Sequence, residues 1–169
     1  MTRRLMIERI QQFFDEGKWK YRYDEKKAIF RAMVKMNSPL GMLRVAILVK
    51  ETYYLVYAIF SATADESQRQ RVGEYLHRAN LGLINGNFEF SFEDGEIRYK
   101  TYVNFSGDDT ELSADVIEDS IVIPITMFDL YGKNLIRLML GESDPKKLVD
   151  EVKEEKKKER EARRAKSDS

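Results

Sequence analysis

The chain has 169 residues and a mass of 19.9 kDa, with 43% hydrophobic and 34% charged residues and 29 cationic side chains matched by 29 anionic ones. A single domain of this size buries about 70% of the surface its unfolded chain exposes, so no covalent staple is required. Zero formal net charge argues against a surface built to coat a polyphosphate, while the lack of cysteine excludes disulfides and thiolate metal ligands and makes a reducing cytoplasm the expected compartment.

The opening MTRRLMIERIQQFF interrupts its apolar residues with Glu8, Arg9 and two glutamines, unlike a signal peptide. Nor does any stretch approach the roughly 20 apolar residues of a membrane span, so a soluble, untargeted chain with no membrane partner is expected. Met6, Ile10, Phe13 and Phe14 recur at helical spacing, which predicts an amphipathic helix over 2–16 with Gly17 as its stop. WKYRY then places Trp19, Tyr21 and Tyr23 on one side of a strand and Lys20 and Arg22 on the other, before a turn at DEKK.

AIFRAMVKM (28–36), MLRVAILVK (42–50) and YLVYAIFSA (54–62) are three further strand-like runs. In the last two, apolar residues fall on both faces. Such strands are covered on both sides, or covered on one and used for binding on the other. Thr63 and Glu66 have capping-box spacing ahead of Val72, Tyr75, Leu76 and Ala79, which predicts a helix over 65–81 ended by Gly82.

RANLGLINGNFEFSFEDGEIRYKTYVNF (78–105) carries the strongest local signal, an Asp94-Gly95 pair between two alternating runs. A type I′ turn there sets Phe92 opposite Ile97, Phe90 opposite Tyr99 and Phe88 opposite Thr101 on a core face. On the other face Ser91 meets Arg98, Glu89 meets Lys100 and Asn87 meets Tyr102. Ser113 then caps a long helix in which Ile117, Ile121, Ile125, Phe128, Leu135 and Leu138 keep helical spacing. Pro124 predicts a kink, Gly132 a second bend and Gly141 the end. Asp144-Pro145 starts a last helix anchored by Leu148, Val149 and Val152. Residues 1–152 therefore read as one domain. Residues 153–169 read as a charged tail, a solvated helix or disorder, rich in Lys156, Lys157, Lys158, Arg160, Arg163, Arg164 and Lys166.

The search for chemistry yields little. His77 is the single histidine and has no cysteine to complete a zinc set. Asp108, Asp109 and Glu111 could form a carboxylate-only magnesium site, but acidic loop residues are commonly turn formers. Neither a nucleophile elbow nor a phosphate-binding glycine loop occurs. The basic tail is interspersed with glutamates, as a solvated helical face would be, and the aromatic strands lack the pattern of an RNA-stacking sheet. No catalytic, cofactor or metal residue is assigned, and an enzyme is not expected.

The motif Arg78, Ala79, Asn80, Gly82, Gly86, Asn87, Phe88, Glu89, Asp94, Gly95, Glu96 and Tyr99 resembles the YbjN family, bacterial proteins described as candidate sensory transduction regulators. Weaker resemblance runs from the WKY strand to GESDPKKLVDEV. It implies an α+β fold like that of type III secretion chaperones, a twisted antiparallel sheet of five to six strands with helices packed on it in the order α-β-β-β-α-β-β-α. The N-terminal part contributes three or four of those strands. Pro124 departs from the family's pattern, where a longer uninterrupted helix is usual. The resemblance implies no catalytic set, and with the empty search it favours a non-enzymatic protein-binding module of chaperone-like or regulatory kind. Its partner would be another protein or peptide, and self-association fits the same logic. Arg98, Lys100 and Tyr102, on the charged side of the hairpin, are the candidate partner-binding residues. The rival readings are a carboxylate-dependent enzyme and nucleic-acid binding through the tail.

Overall fold

A computed structural model of the chain describes residues 2–106 and 113–167. Six strands, β1 (Tyr21–Asp24), β2 (Ile29–Lys35), β3 (Met42–Val49), β4 (Tyr53–Phe60), β5 (Asn87–Phe90) and β6 (Ile97–Asn104), form one antiparallel sheet in the order β1-β2-β3-β4-β6-β5. The fold is α+β, with four helices: α1 (Arg3–Glu16), α2 (Arg69–Asn80), α3 (Ala114–Met139) and α4 (Pro145–Ser167).

Because strand side chains alternate between faces, the register sorts the residues into two sets. Phe30, Val45, Ile47, Val56, Ala58, Tyr99 and Phe88 fall on one face, where the helices lie. Met6, Ile10 and Phe14 of α1 cover the β2–β3 half. Val72, Tyr75 and Leu76 of α2 and Leu148, Val149 and Val152 of α4 close the other half over β4, β6 and β5. α3 joins the two halves, with Ile117 and Ile121 in the first and Phe128, Leu135 and Leu138 in the second. The strands whose apolar residues fall on both faces are thus covered on one side, and no described element covers the opposite, open face.

Local structure refines several sequence expectations. Gly17 ends α1 with a right-handed φ of −74°, and the left-handed residue is Lys18 instead. Glycine is required at 17 because a Cβ there would collide with the Trp19 indole. No capping box forms at Thr63. The segment opens with a short 3-10 turn over Glu66–Gln68, and α2 follows from Arg69. α3 runs through Pro124 without interruption, and the Ser120 carbonyl that Pro124 cannot serve accepts the Thr101 hydroxyl at 2.7 Å. Gly132 is a contact point, since Leu40 packs where its Cβ would be. Ser113 caps α3 through Val116 N–H at 3.4 Å, and Asp144 caps α4 through Lys147 N–H at 3.0 Å.

The hairpin register also differs. Phe88 pairs with Tyr99 and Phe90 with Ile97, a displacement of two residues from the register that a tight turn would impose. Only Gly95 of the Asp94-Gly95 pair has positive φ, so the type I′ turn, which needs it at both positions, does not form. Gly95 accepts the Ala64 N–H at 3.0 Å and lies so close to Ala64 that a Cβ would clash, which widens the turn. A shift of two preserves the facing of every side chain. Phe92, however, leaves the ladder. Half exposed, it lies over Gly73 of α2 and against Phe90, their ring centroids 4.9 Å apart.

Candidate protein-binding surface

Ala46, Leu48, Leu55, Tyr57 and Ile59 form the middle of the open face, each only partly buried and none joined to the helical core. Register places them side by side, since Ala46 pairs with Tyr57 and Leu48 with Leu55. A sheet face with an apolar centre and no layer over it among the described residues is a candidate docking surface, because edge and face chemistry can supply affinity and choice to an extended partner.

The candidates Arg98, Lys100 and Tyr102 all stand on this face, brought there by their alternation on β6 and paired with Ile59, Tyr57 and Leu55 of β4. Their chemical states differ. Arg98 donates to Glu89 at 2.7 Å and to Glu96 at 3.3 Å, and its guanidinium stacks 4.7 Å from the Tyr57 ring centre. Lys100 forms an ion pair with the same Glu89 carboxylate. Burial alone would raise the Glu89 pKa, but hydrogen bonds from Lys100 and Arg98 outweigh it and hold the carboxyl below its ordinary range. The hairpin cations are thus largely neutralised from within. Tyr102 is 54% exposed and touches Tyr53, with ring centres 5.3 Å apart.

The motif residues hold the fold together. Asn80, at the end of α2, accepts the Phe88 N–H at 2.7 Å and donates to the Phe88 carbonyl at 3.0 Å, standing in for a neighbouring strand on the outer edge of β5. Gly82 has a φ of +89° as the chain leaves that helix. Gly86, at a φ of +80°, sits against the Lys100 carbonyl with no room for a side chain. Tyr99, buried, donates to the Asn85 carbonyl at 2.6 Å. Asp94 accepts the Glu96 N–H at 3.1 Å and so shapes the turn beside Gly95. Asn87 bonds the Phe88 carbonyl at 3.0 Å. Of the motif, Asn87, Glu89 and Glu96 stand on the open side, and the two carboxylates are the partners of its cations.

Sequence reasoning did not single out Arg31 and Arg44. They lie in adjacent strands, and with Arg22 they border a groove of about 900 Å³ over Met33, Ala46 and Ile59. The signal was present in IFRAMVK and MLRV, where arginine and methionine occupy the alternation positions opposite the core, but their convergence depends on strand order. Elsewhere, His77 is exposed on α2. Asp108, Asp109 and Glu111 lie outside the described residues. Among the described residues no group of three or more metal-capable side chains is found, and no helix is long and apolar enough to cross a membrane. The charged C-terminal segment continues α4 to Ser167, exposed beyond Val152 as far as its side chains are described.

No protein family and no curated protein matches the sequence. Among solved structures, the chain is similar to YbjN from E. coli, a candidate transcription regulator, with a TM-score of 0.51 and 7% identity over 73% of this chain and 88% of that one. The ExsC–ExsE complex matches with a TM-score of 0.45 and 11% identity over 73% of this chain and 90% of that one. An uncharacterized protein from Methanothermobacter thermautotrophicus matches with a TM-score of 0.43 and 17% identity over 88% and 96%. The chain thus has a YbjN-like fold, in agreement with the RAN…GNFE…DGE motif that resembles that family.

Proposed function

We propose that the protein is a non-enzymatic, cytoplasmic binding module of chaperone-like or regulatory kind, which holds another polypeptide on the open face of its sheet. One observation carries this reading: all four helices pack on one face, while the other keeps an apolar strip from Leu48 to Ile59 that no described element covers. Solvated sheet faces ordinarily alternate to polar residues, so an apolar centre flanked by charge marks a surface kept for a partner. Tyr102, with Arg98 and Lys100 behind it, forms one border of that surface.

Photo-crosslinking from the full chain tests the reading. A photoreactive residue replacing Tyr102 or Leu55 is expected to capture a polypeptide in host cells, whereas one replacing Glu118 on the helical side is not. Capture from position 118 alone, or equally from all three positions, would overturn the open face as the binding surface.

A further inference from the structure

The two edges of the sheet are not equivalent. Along β5 the Phe88 backbone groups are already satisfied by Asn80. β1 ends the sheet on the other side, and no backbone group of the described residues hydrogen-bonds beyond its outer edge. The open face next to each edge differs as well. By β5 and β6 the cations are matched by Glu89 and Glu96. By β1, Arg22 and Arg31 are directly paired across the strands, exposed, and without an acidic partner among the described residues. Arg44 reaches only Glu96, at 3.9 Å, and shares it with Arg98. Lys20 lines the same groove. The nearby Asp24 carboxylate is turned to the Lys27 N–H at 3.1 Å. Like charges placed this closely repel one another in the free protein, and the floor beneath them, Met33, Ala46 and Ile59, is apolar.

We infer that this groove receives an acidic, extended polypeptide segment, which pairs with the outer edge of β1 and turns alternate carboxylates onto Arg22 and Arg31. The inference rests on the open face being a protein-binding surface, and it names the place and the chemistry. Strand addition uses backbone hydrogen bonds for affinity and alternate side chains for choice. Neighbouring strands lie about 4.8 Å apart, so a carboxylate on an added strand meets Arg22 directly and Arg31 one strand further in, within the span of a long side chain. Planar guanidinium groups favour carboxylates through paired hydrogen bonds. The intervening side chains would turn to the helical face, where Trp19 and Tyr21 lie against Phe14.

The test uses the full chain and a labelled short peptide alternating glutamate with valine, followed by fluorescence anisotropy at low ionic strength. The peptide is expected to bind, with affinity that falls as salt is added; its lysine–valine counterpart is expected not to bind. Reversing both charges, Arg22→Glu with Arg31→Glu, should weaken binding by about tenfold or more, while Glu118→Gln, exposed on the helical side, leaves it within about twofold. Both arginines are exposed and form no ion pair among the described residues, so an unchanged thermal melt verifies the fold of the double variant. Binding that survives the reversal, or no binding by the wild type, overturns the inference. So does tighter binding of single-stranded RNA than of the peptide through the same arginines. If photo-crosslinks from the open face persist in the Arg22/Arg31 variant, the groove assignment falls and the open-face reading stands.

Discussion

At the end of α2 a carboxamide is aimed at the edge of β5, where Asn80 completes both hydrogen bonds of Phe88. An alanine at 80 would strand the Phe88 N–H, which the partly buried edge cannot fully hydrate, and leave the carbonyl to Asn87 alone, at a cost of about 1–3 kcal/mol. Asn80→Ala should therefore lower stability by that amount in urea unfolding, and accelerate amide exchange at Phe88 more than at Tyr99. Uniform acceleration along both strands would show that Asn80 supports the helix end instead. Glu89 sets the pH response of the same hairpin. Burial works against its charge, but the Lys100 and Arg98 bonds prevail and depress its pKa, so the folded state binds the proton less readily than the unfolded chain. Such a group contributes stability above its unfolded value, near 4.5, and loses that contribution as pH falls through the folded value. Carboxyl chemical shifts should place the Glu89 midpoint below 4.5, and Lys100→Met with Arg98→Met should move it upward.

The longest element, α3, shows a helix and a sheet compensating for one another. Pro124 deletes a hydrogen bond to the Ser120 carbonyl, and Thr101 on β6 supplies the missing donor at 2.7 Å. The Ser120 hydroxyl meanwhile bonds Tyr54 at 2.9 Å, so β4, β6 and α3 meet at one buried polar point. Thr101→Val should cost about 1–3 kcal/mol in the wild type. In a Pro124→Ala background, where residue 124 regains its N–H, the same substitution should cost about 1 kcal/mol less; strict additivity in the double-mutant cycle would separate the two residues. Pro124 was legible as a disturbance, yet its partner was not, because Thr101 lies 23 positions away in sequence and meets it only once β6 is placed beside β4. The hairpin teaches the same lesson at shorter range. Alternation of Phe88, Phe90, Ile97 and Tyr99 revealed which face is buried, since facing depends on parity alone. The register depended on Gly95 docking against Ala64, a tertiary contact that local turn preference does not contain.

For the whole molecule, amphipathic periodicity made the helices and the covered face readable, and the motif resemblance supplied the architecture. The candidate site was readable only in part. Tyr102, Arg98 and Lys100 could be assigned to the outward side of one hairpin, but the groove combines Arg22, Arg31 and Arg44 from three strands, and the internal neutralisation by Glu89 and Glu96 appears only in three dimensions. The covered face has its own collective signature, because buried tyrosines sit in both halves of the core. Burial pushes the Tyr54 pKa from 10.0 up to about 12, against a smaller opposing effect of its Ser120 bond. Burial also pushes Tyr99 from 10.0 to about 12, and it raises Tyr75 further still. Each group holds its proton in the folded state while the unfolded chain releases it near pH 10, so their stabilising contribution is intact below pH 10 and is lost between pH 10 and about 12. A fully shifted tyrosine contributes a slope of about 1.4 kcal/mol per pH unit in that window. Urea unfolding at increasing alkalinity should show a plateau up to pH 10 followed by a steep cooperative decline. Tyr54→Phe should lower the plateau by removing the Ser120 bond, and should also flatten the decline by about one tyrosine's share. A stability that stays level to pH 11, or a slope untouched by that substitution, would mean that the tyrosines ionise without unfolding the core.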